Sequence, residues 1–146
     1  MDRKPSSDRR SDCPLSIALE LFGDRWTLLV LRDLMFKRLK TFKEFLDSGE
    51  RIASNVLADR LRRLQEHGII DSVRSTTDAR VVIYRPTAKG LDLLPVLIEM
   101  VLWSARYEKT AAPAKMIERM STARKGFIQH IRGQFASKQD GRNQVI

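Results

Sequence analysis

Residues 52–68 read IASNVLADRLRRLQEHG, and the interpretation of the whole chain turns on this stretch. On a helix of 3.6 residues per turn, Leu57, Leu61 and Leu64 form one narrow apolar stripe. Asn55, Asp59, Arg62 and Glu66 fall opposite, with Ala58 and Arg63 on the flanks. The stripe must dock on a core, so the other face looks outward. That outer face carries an amide, a carboxylate and guanidiniums, groups able to read base edges and phosphates. The competing interpretation is a solvated face on an ordinary amphipathic helix. Gly68 is expected to end the helix in a left-handed cap, with an extended run starting at Ile69. The neighbouring stretches decide between the two.

On the N-terminal side, Thr41-Phe42-Lys43-Glu44 has the spacing of a capping box, so a short helix should start at Thr41, packed by Phe42, Phe45 and Leu46. Residues 48–51 make a turn. Short helix, tight turn and amphipathic helix are the parts of a helix-turn-helix. On the C-terminal side, residues 69–75 and 81–85 are rich in β-branched side chains and flank the polar loop 76–80, which predicts a hairpin. A hairpin directly after a recognition helix is a wing.

Further out, Pro14 opens a first helix with Leu15, Ala18, Leu19 and Phe22 on its apolar face. Asp24 caps a second over residues 25–36, and Lys37, Arg38 and Lys40 make a basic turn. Thr87 should cap a long helix to about Tyr107, kinked at Pro95. Its apolar residues cover more than one face, a surplus that predicts a partner chain. Residues 111–113 break the chain. Residues 114–136 read as one more helical segment whose stripe of Met116, Met120, Ala123, Phe127, Ile131 and Phe135 is core or dimer packing. The predicted organisation is a flexible basic arm (1–12), a winged domain with its dimerisation helix (13–107), a C-terminal helical extension (113–137) and a disordered tail (138–146). The fold class is mainly α with a small β-hairpin.

Composition agrees. The 146 residues hold 27 Lys+Arg against 18 Asp+Glu, a formal net charge of +9 that favours a polyanionic partner. One cysteine excludes an internal disulfide and fits a reducing, cytoplasmic setting. The longest apolar stretch, residues 93–105, is too short to span a bilayer, and residues 1–12 are too polar for a signal peptide, so no membrane role is expected. His67 and His130 lack ligand spacing, and no glycine-rich phosphate loop occurs, so neither an enzyme, a metal site nor a cofactor is expected.

Residues 13–107 resemble the HxlR-type winged helix-turn-helix transcription regulators, relatives of the MarR group. The matching pieces are Cys13-Pro14, the run from Gly23 to Leu29, Phe42-Lys43-Glu44-Phe45, and Val56-Leu57 with Arg60-Leu61 and Leu64. His67-Gly68-Ile69-Ile70, Tyr84, Thr87, Gly90 and the run from Leu94 to Trp103 complete them. The chain departs from the family in lacking a proline pair before the last strand. Its Asp78-x-Arg80 loop looks more like a MarR wing, and its tail is longer than the family's.

The resemblance implies a homodimer on a pseudo-palindromic operator, probing double-stranded DNA with recognition helices about 34 Å apart. Repression is the expected mode. Asn55 and Arg62 are the candidates for base edges, pairing with adenine and guanine. Asp59 accepts from cytosine or orients Arg62 or Arg63, and Ser54 is either a helix-start residue or a contact. Thr41, Lys43 and Arg63 are candidates for phosphates, joined by Arg74 on the wing; Arg80 at its tip is placed to enter the minor groove, with Asp78 holding the loop. Leu15, Leu94, Ile98, Val101, Leu102 and Trp103 are the expected dimer contacts. Cys13, before a helix N-terminus and near Arg9 and Arg10, is a candidate sensor of oxidants or electrophiles, or else a packing residue. A small effector is expected, if anywhere, between the first helix and the long helix. The rival interpretation is a winged-helix module that binds protein.

Overall fold

The computed structural model describes residues 9–136. The elements run α1 (Pro14–Phe22), α2 (Arg25–Met35), α3 (Phe42–Leu46), α4 (Ser54–Glu66), β1 (Ile70–Arg74), β2 (Val82–Pro86), α5 (Ala88–Leu91), α6 (Leu94–Tyr107), α7 (Ala114–Thr122) and α8 (Arg124–Ala136). The fold is mainly helical, with β1 and β2 forming one antiparallel hairpin in the register Ile70–Pro86, Ser72–Tyr84 and Arg74–Val82. Most of the expected arm and all of the expected tail lie outside the described residues.

Local chemistry sets the boundaries. Asp24 caps α2 by accepting from the Thr27 N–H at 3.2 Å. Thr41 caps α3 through the Glu44 N–H at 3.3 Å, and Thr87 caps α5 through the Gly90 N–H at 3.1 Å. The central helix starts two residues later than expected. Ala53 is its N-cap, while Ile52 turns inward and is buried. Gly68 closes it at φ 68°, a conformation that favours glycine. The expected kink near Pro95 is present as a bend at Asp92 and Leu93, both still in the right-handed helical region, so α5 and α6 make one long bent helix. Pro95 sits in the first turn of α6, where its missing N–H costs nothing, while its ring would collide with the carbonyl four residues back, at Leu91. Residues 114–136 form two helices, divided at Ala123 (φ −126°, ψ 36°) and not at either glycine.

A single core gathers Val30, Leu31, Leu34 and Met35 of α2, Phe45 of α3, and Leu57, Leu61 and Leu64 of α4. The wing adds Ile70, and α6 adds Leu94, Leu97 and Ile98. The last two helices join the same core through Met120, Phe127 and Ile131, with Phe127 tilted against Phe36 at 6.2 Å. The stripe read over residues 114–136 is therefore mostly core, although Ala123 is exposed.

Leu94 and Ile98 require a correction. Both are wholly buried inside the chain and offer no surface to a partner. The exposed stripe of α6 is instead Val96, Met100, Trp103 and Tyr107, spaced at helical intervals, with Leu15 and Leu19 exposed on α1. Val101 and Leu102 are half-buried. No α1 residue is buried; on its apolar face Leu15 and Leu19 are exposed while Ala18 and Phe22 are half-buried.

Candidate nucleic-acid interface

The helix-turn-helix consists of α3, the turn over residues 47–53 and α4. Two positive-φ residues shape that turn, Gly49 at 99° and Arg51 at 59°. Its position is fixed from below. Glu50 accepts from Arg32 at 2.7 Å, and Arg32 also grips the buried Asp33 through its Nε and one terminal nitrogen, at 2.9 and 2.7 Å. The Arg32 hydrogen bond holds the Glu50 carboxyl below the usual range. A side chain rooted in the second helix thus sets where α4 begins.

With Leu57, Leu61 and Leu64 facing the core, α4 turns Ser54, Asn55, Ala58 and Arg62 to solvent, with Asp59 and Arg63 half-buried beside them. Ser54 is the first residue of the helix, not its cap. Arg62 is held by two carboxylates, Asp59 Oδ1 and Glu66 Oε1, each at 2.7 Å. Asp59 in turn accepts from Arg60 at 2.5 Å and lies 3.9 Å from Arg63. Hydrogen bonding to Arg62 lowers the Asp59 carboxyl and reciprocally raises the Arg62 guanidinium. Exposed ion pairs of this kind are weak and screened by solvent, so they orient Arg62 without locking it away.

The other end of α4 is tied down by α5. The Thr87 hydroxyl donates to the carbonyls of Gly68 and Ile69 at 2.6 and 3.0 Å, and the Thr87 N–H donates to Ile69 at 3.1 Å. Lys89 donates to the His67 carbonyl at 2.7 Å. Carbonyls left open at a helix C-terminus are thereby satisfied by the segment that follows the wing.

The wing is braced on its recognition-helix side by Gln65, which donates to Ser72 at 2.8 Å, and by the Tyr84 ring against Phe45 at 6.1 Å. The Tyr84 N–H donates to the Lys40 carbonyl at 2.8 Å, joining the hairpin to the basic turn. Arg74 donates to the Ala79 carbonyl at 2.8 Å and closes the loop. Asp78 accepts from both the backbone and the side chain of Arg80, each at 3.1 Å, while the Arg80 side chain is 90% exposed. Hydrogen bonding to Arg80 lowers the Asp78 carboxyl. Thr41 is engaged locally, its hydroxyl donating to Glu44 at 3.0 Å as well as capping, whereas Lys43 is exposed. Arg62, Arg63, Lys43 and Arg80 thus remain with charge available at the surface; Thr41 and Arg74 hold the frame.

Arg60 and Asp24 were not singled out for this site from the sequence. Arg60 links α4 to α2, donating to Asp24 at 2.8 Å across 36 positions in the chain. Burial raises the Asp24 carboxyl, but hydrogen bonds from Thr27 and Arg60 together outweigh it and leave the group below its ordinary value. Adjacent helix residues do not normally face each other, so the spacing gave no sign that Arg60 would meet Asp59.

Asp24, Glu50, Asp59 and Asp78 share one sign of shift. Each binds its proton less tightly folded than unfolded, so each contributes stability that is present above the ordinary carboxylate range, near 4. That contribution is lost as pH falls through the lowered values. Unfolding by urea should therefore grow easier from about pH 4.5 downward. A midpoint unchanged from pH 6 to pH 3 would show that these pairs do not favour the folded state.

Cys13 is exposed at the N-cap of α1, with its N–H donating to Ser11 at 3.0 Å. Among the described residues no cluster of His, Cys, Asp or Glu could hold a metal, and no helix is long and apolar enough to cross a membrane.

The HxlR-like helix-turn-helix family profile matches residues 21–112. The HTH-type transcriptional regulator Rv3095 of Mycobacterium tuberculosis is 38% identical over 90 residues, covering 62% of this chain and 56% of its own. The chain thus spans little more than half the length of that relative. The HTH-type transcriptional regulator YodB of Bacillus subtilis is 33% identical over 96 residues, covering 65% of this chain and 85% of its own. Among solved structures, PA1607 superposes with a TM-score of 0.64 at 35% identity, covering 75% of each chain. Quinone-bound YodB superposes with a TM-score of 0.52 at 33% identity, covering 65% of this chain and 99% of that one.

Proposed function

The chain belongs to the HxlR-like helix-turn-helix family of DNA-binding transcription regulators, whose helix-turn-helix domain is non-catalytic, and from that membership we propose that it is a homodimeric, sequence-specific repressor. The single observation that carries sequence reading is the outer face of α4, where Asn55 and an oriented Arg62 stand exposed above a fully buried leucine stripe. Asn55 pairs with adenine and Arg62 with guanine, both bidentate readouts of the major groove. Arg63 and Lys43 contact phosphates, and Arg80 reaches along the minor groove from the wing. The guanidinium has five N–H donors and spends two on Asp59 and Glu66, so Arg62 can add a bidentate contact with guanine of ~1–3 kcal/mol while those carboxylates still orient it. Selection of duplexes from a random library tests the assignment: a recovered motif with two inverted half-sites supports it, and an unenriched pool contradicts it.

The dimer places the exposed stripe of α6 and the exposed leucines of α1 against a second copy. Trp103 and Tyr107, with ring centroids 5.3 Å apart, are the anchors of that face. Sedimentation should give a two-chain mass for the native protein and a one-chain mass for Trp103→Glu with unchanged helix content. A two-chain mass for both would move the interface elsewhere.

Cys13 is assigned as an oxidant-responsive thiol. The support is its exposure at the start of α1 and the existence of YodB structures in reduced, diamide-treated and quinone-bound forms. Two Cys13 thiols, one from each protomer, would form a disulfide and pass two protons and two electrons to the oxidant; a quinone would instead add to the thiolate. Oxidant should release the native protein from DNA and leave Cys13→Ser bound. Release of the Cys13→Ser protein under the same treatment ends this assignment.

A further inference from the structure

We propose that Asp24, although it is the N-cap of the second helix and lies outside the reading helix, is a positioning residue for base recognition by Arg62. The inference rests on Arg62 reading a base, as assigned above.

A continuous series of charge-assisted hydrogen bonds joins the two. It begins at the Asp24 carboxylate, which the N-terminus of α2 holds through the Thr27 N–H at 3.2 Å and the Thr27 hydroxyl at 2.5 Å. Arg60 Nε donates to Asp24 at 2.8 Å, and another nitrogen of Arg60 donates to Asp59 Oδ2 at 2.5 Å. The remaining oxygen of Asp59 accepts from Arg62 at 2.7 Å, and Arg62 reaches Glu66 at 2.7 Å. The charges alternate in sign along the whole path.

The consequence for Arg62 is geometric. Asp59 has two oxygens, each taken by a different arginine, so its rotamer is defined from both sides. Arg60 can direct one of those oxygens because Asp24 directs Arg60. Asp24 itself is anchored to helix backbone on an element packed against α4 through the core. The pairs nearer the core are also the more sheltered: the Arg60 side chain is 22% exposed and that of Arg62 59%. A bidentate contact to guanine demands a defined approach of the guanidinium plane. Removing the anchor frees Arg60 to take both oxygens of Asp59 and leaves Arg62 with Glu66 alone. The observable result is altered discrimination at one base position, not a general loss of affinity.

The test uses the duplex selected by the native protein and its single-base variants, each measured against a scrambled duplex. Asp24→Asn keeps a side chain that caps helices equally well and removes the carboxylate that holds Arg60. Arg60→Lys keeps the charge but cannot fork between two carboxylates. Both should reduce discrimination roughly threefold to tenfold, as expected for neighbours in one network, at the same base position that Arg62→Ala affects. Neither should reduce it further when Arg62 is already alanine. Unchanged discrimination in both variants overturns the inference, as does an equal reduction in the Arg62→Ala background. If Arg62→Ala itself weakens every duplex equally, the base-reading assignment falls and takes this inference with it.

Discussion

Replacing Gly90 with alanine should destabilise the protein by about 3 kcal/mol, read as a shift in the urea midpoint with unchanged slope. Helix propensity alone predicts the opposite sign, since alanine exceeds glycine by roughly 1 kcal/mol in a helix. Steric contact decides the outcome. A Cβ at position 90 would lie 2.1 Å from the Ile69 carbonyl oxygen, and that oxygen belongs to backbone which cannot swing aside as a side chain could. The same carbonyl accepts from the N–H and hydroxyl of Thr87, so retreat would break the clamp that joins the end of α4 to the exit of the wing. A gain in stability, or a change within about 0.5 kcal/mol, would show that this crossing relaxes freely.

Arg62 carries the largest expected effect on recognition. Arg62→Ala should cost roughly 1–3 kcal/mol against the duplex with the matched base and much less once that base is changed. Alanine also strips Glu66 of its pair and leaves Asp59 to Arg60 and Arg63 alone, and the carboxylate charge so released would repel any duplex to some extent. Arg62→Lys separates the two effects: it keeps the positive charge and loses the planar fork. Selectivity at that base should fall in both variants, while binding to unrelated duplex should fall in the alanine variant alone. General weakening in the alanine variant, with selectivity unchanged in both, would make Arg62 a phosphate contact.

Most of the fold was legible because local signals and tertiary needs agree. The Asp24 and Thr41 caps, the leucine stripe of α4, Gly68 and the hairpin all follow from short-range chemistry and appear in the structure. The departures arise where packing chose between permitted alternatives. The kink expected at Pro95 falls at Asp92 and Leu93, and Pro95 itself sits in the first turn beyond the bend. Leu94 and Ile98 are apolar on a helix that is apolar on more than one face, and periodicity alone does not say which stripe meets the chain's own core. The apolar residues left outside, Val96, Met100 and Tyr107, became distinguishable only once α6 had been seated.

At the candidate site, residue type and outward position were legible, but partnership was not. Asp59 was expected to accept from a base or to orient a neighbouring arginine, and in the structure it pairs with Arg62 and Arg60. The partner that completes this arrangement, Asp24, lies 36 residues from Arg60 and meets it only through the packing of α2 on α4. Arg74 is similar: a basic residue on a wing suggests phosphate, while the structure turns it back onto the loop it closes.

The central claim is that the outer face of α4 reads duplex sequence. Fluorescence anisotropy at near-physiological salt tests it directly, with the duplex recovered by selection set against a scrambled duplex of equal length. The predicted result is a preference of about 10³ or more for the selected duplex. Equal, salt-sensitive binding to both duplexes, or binding to neither, would contradict it.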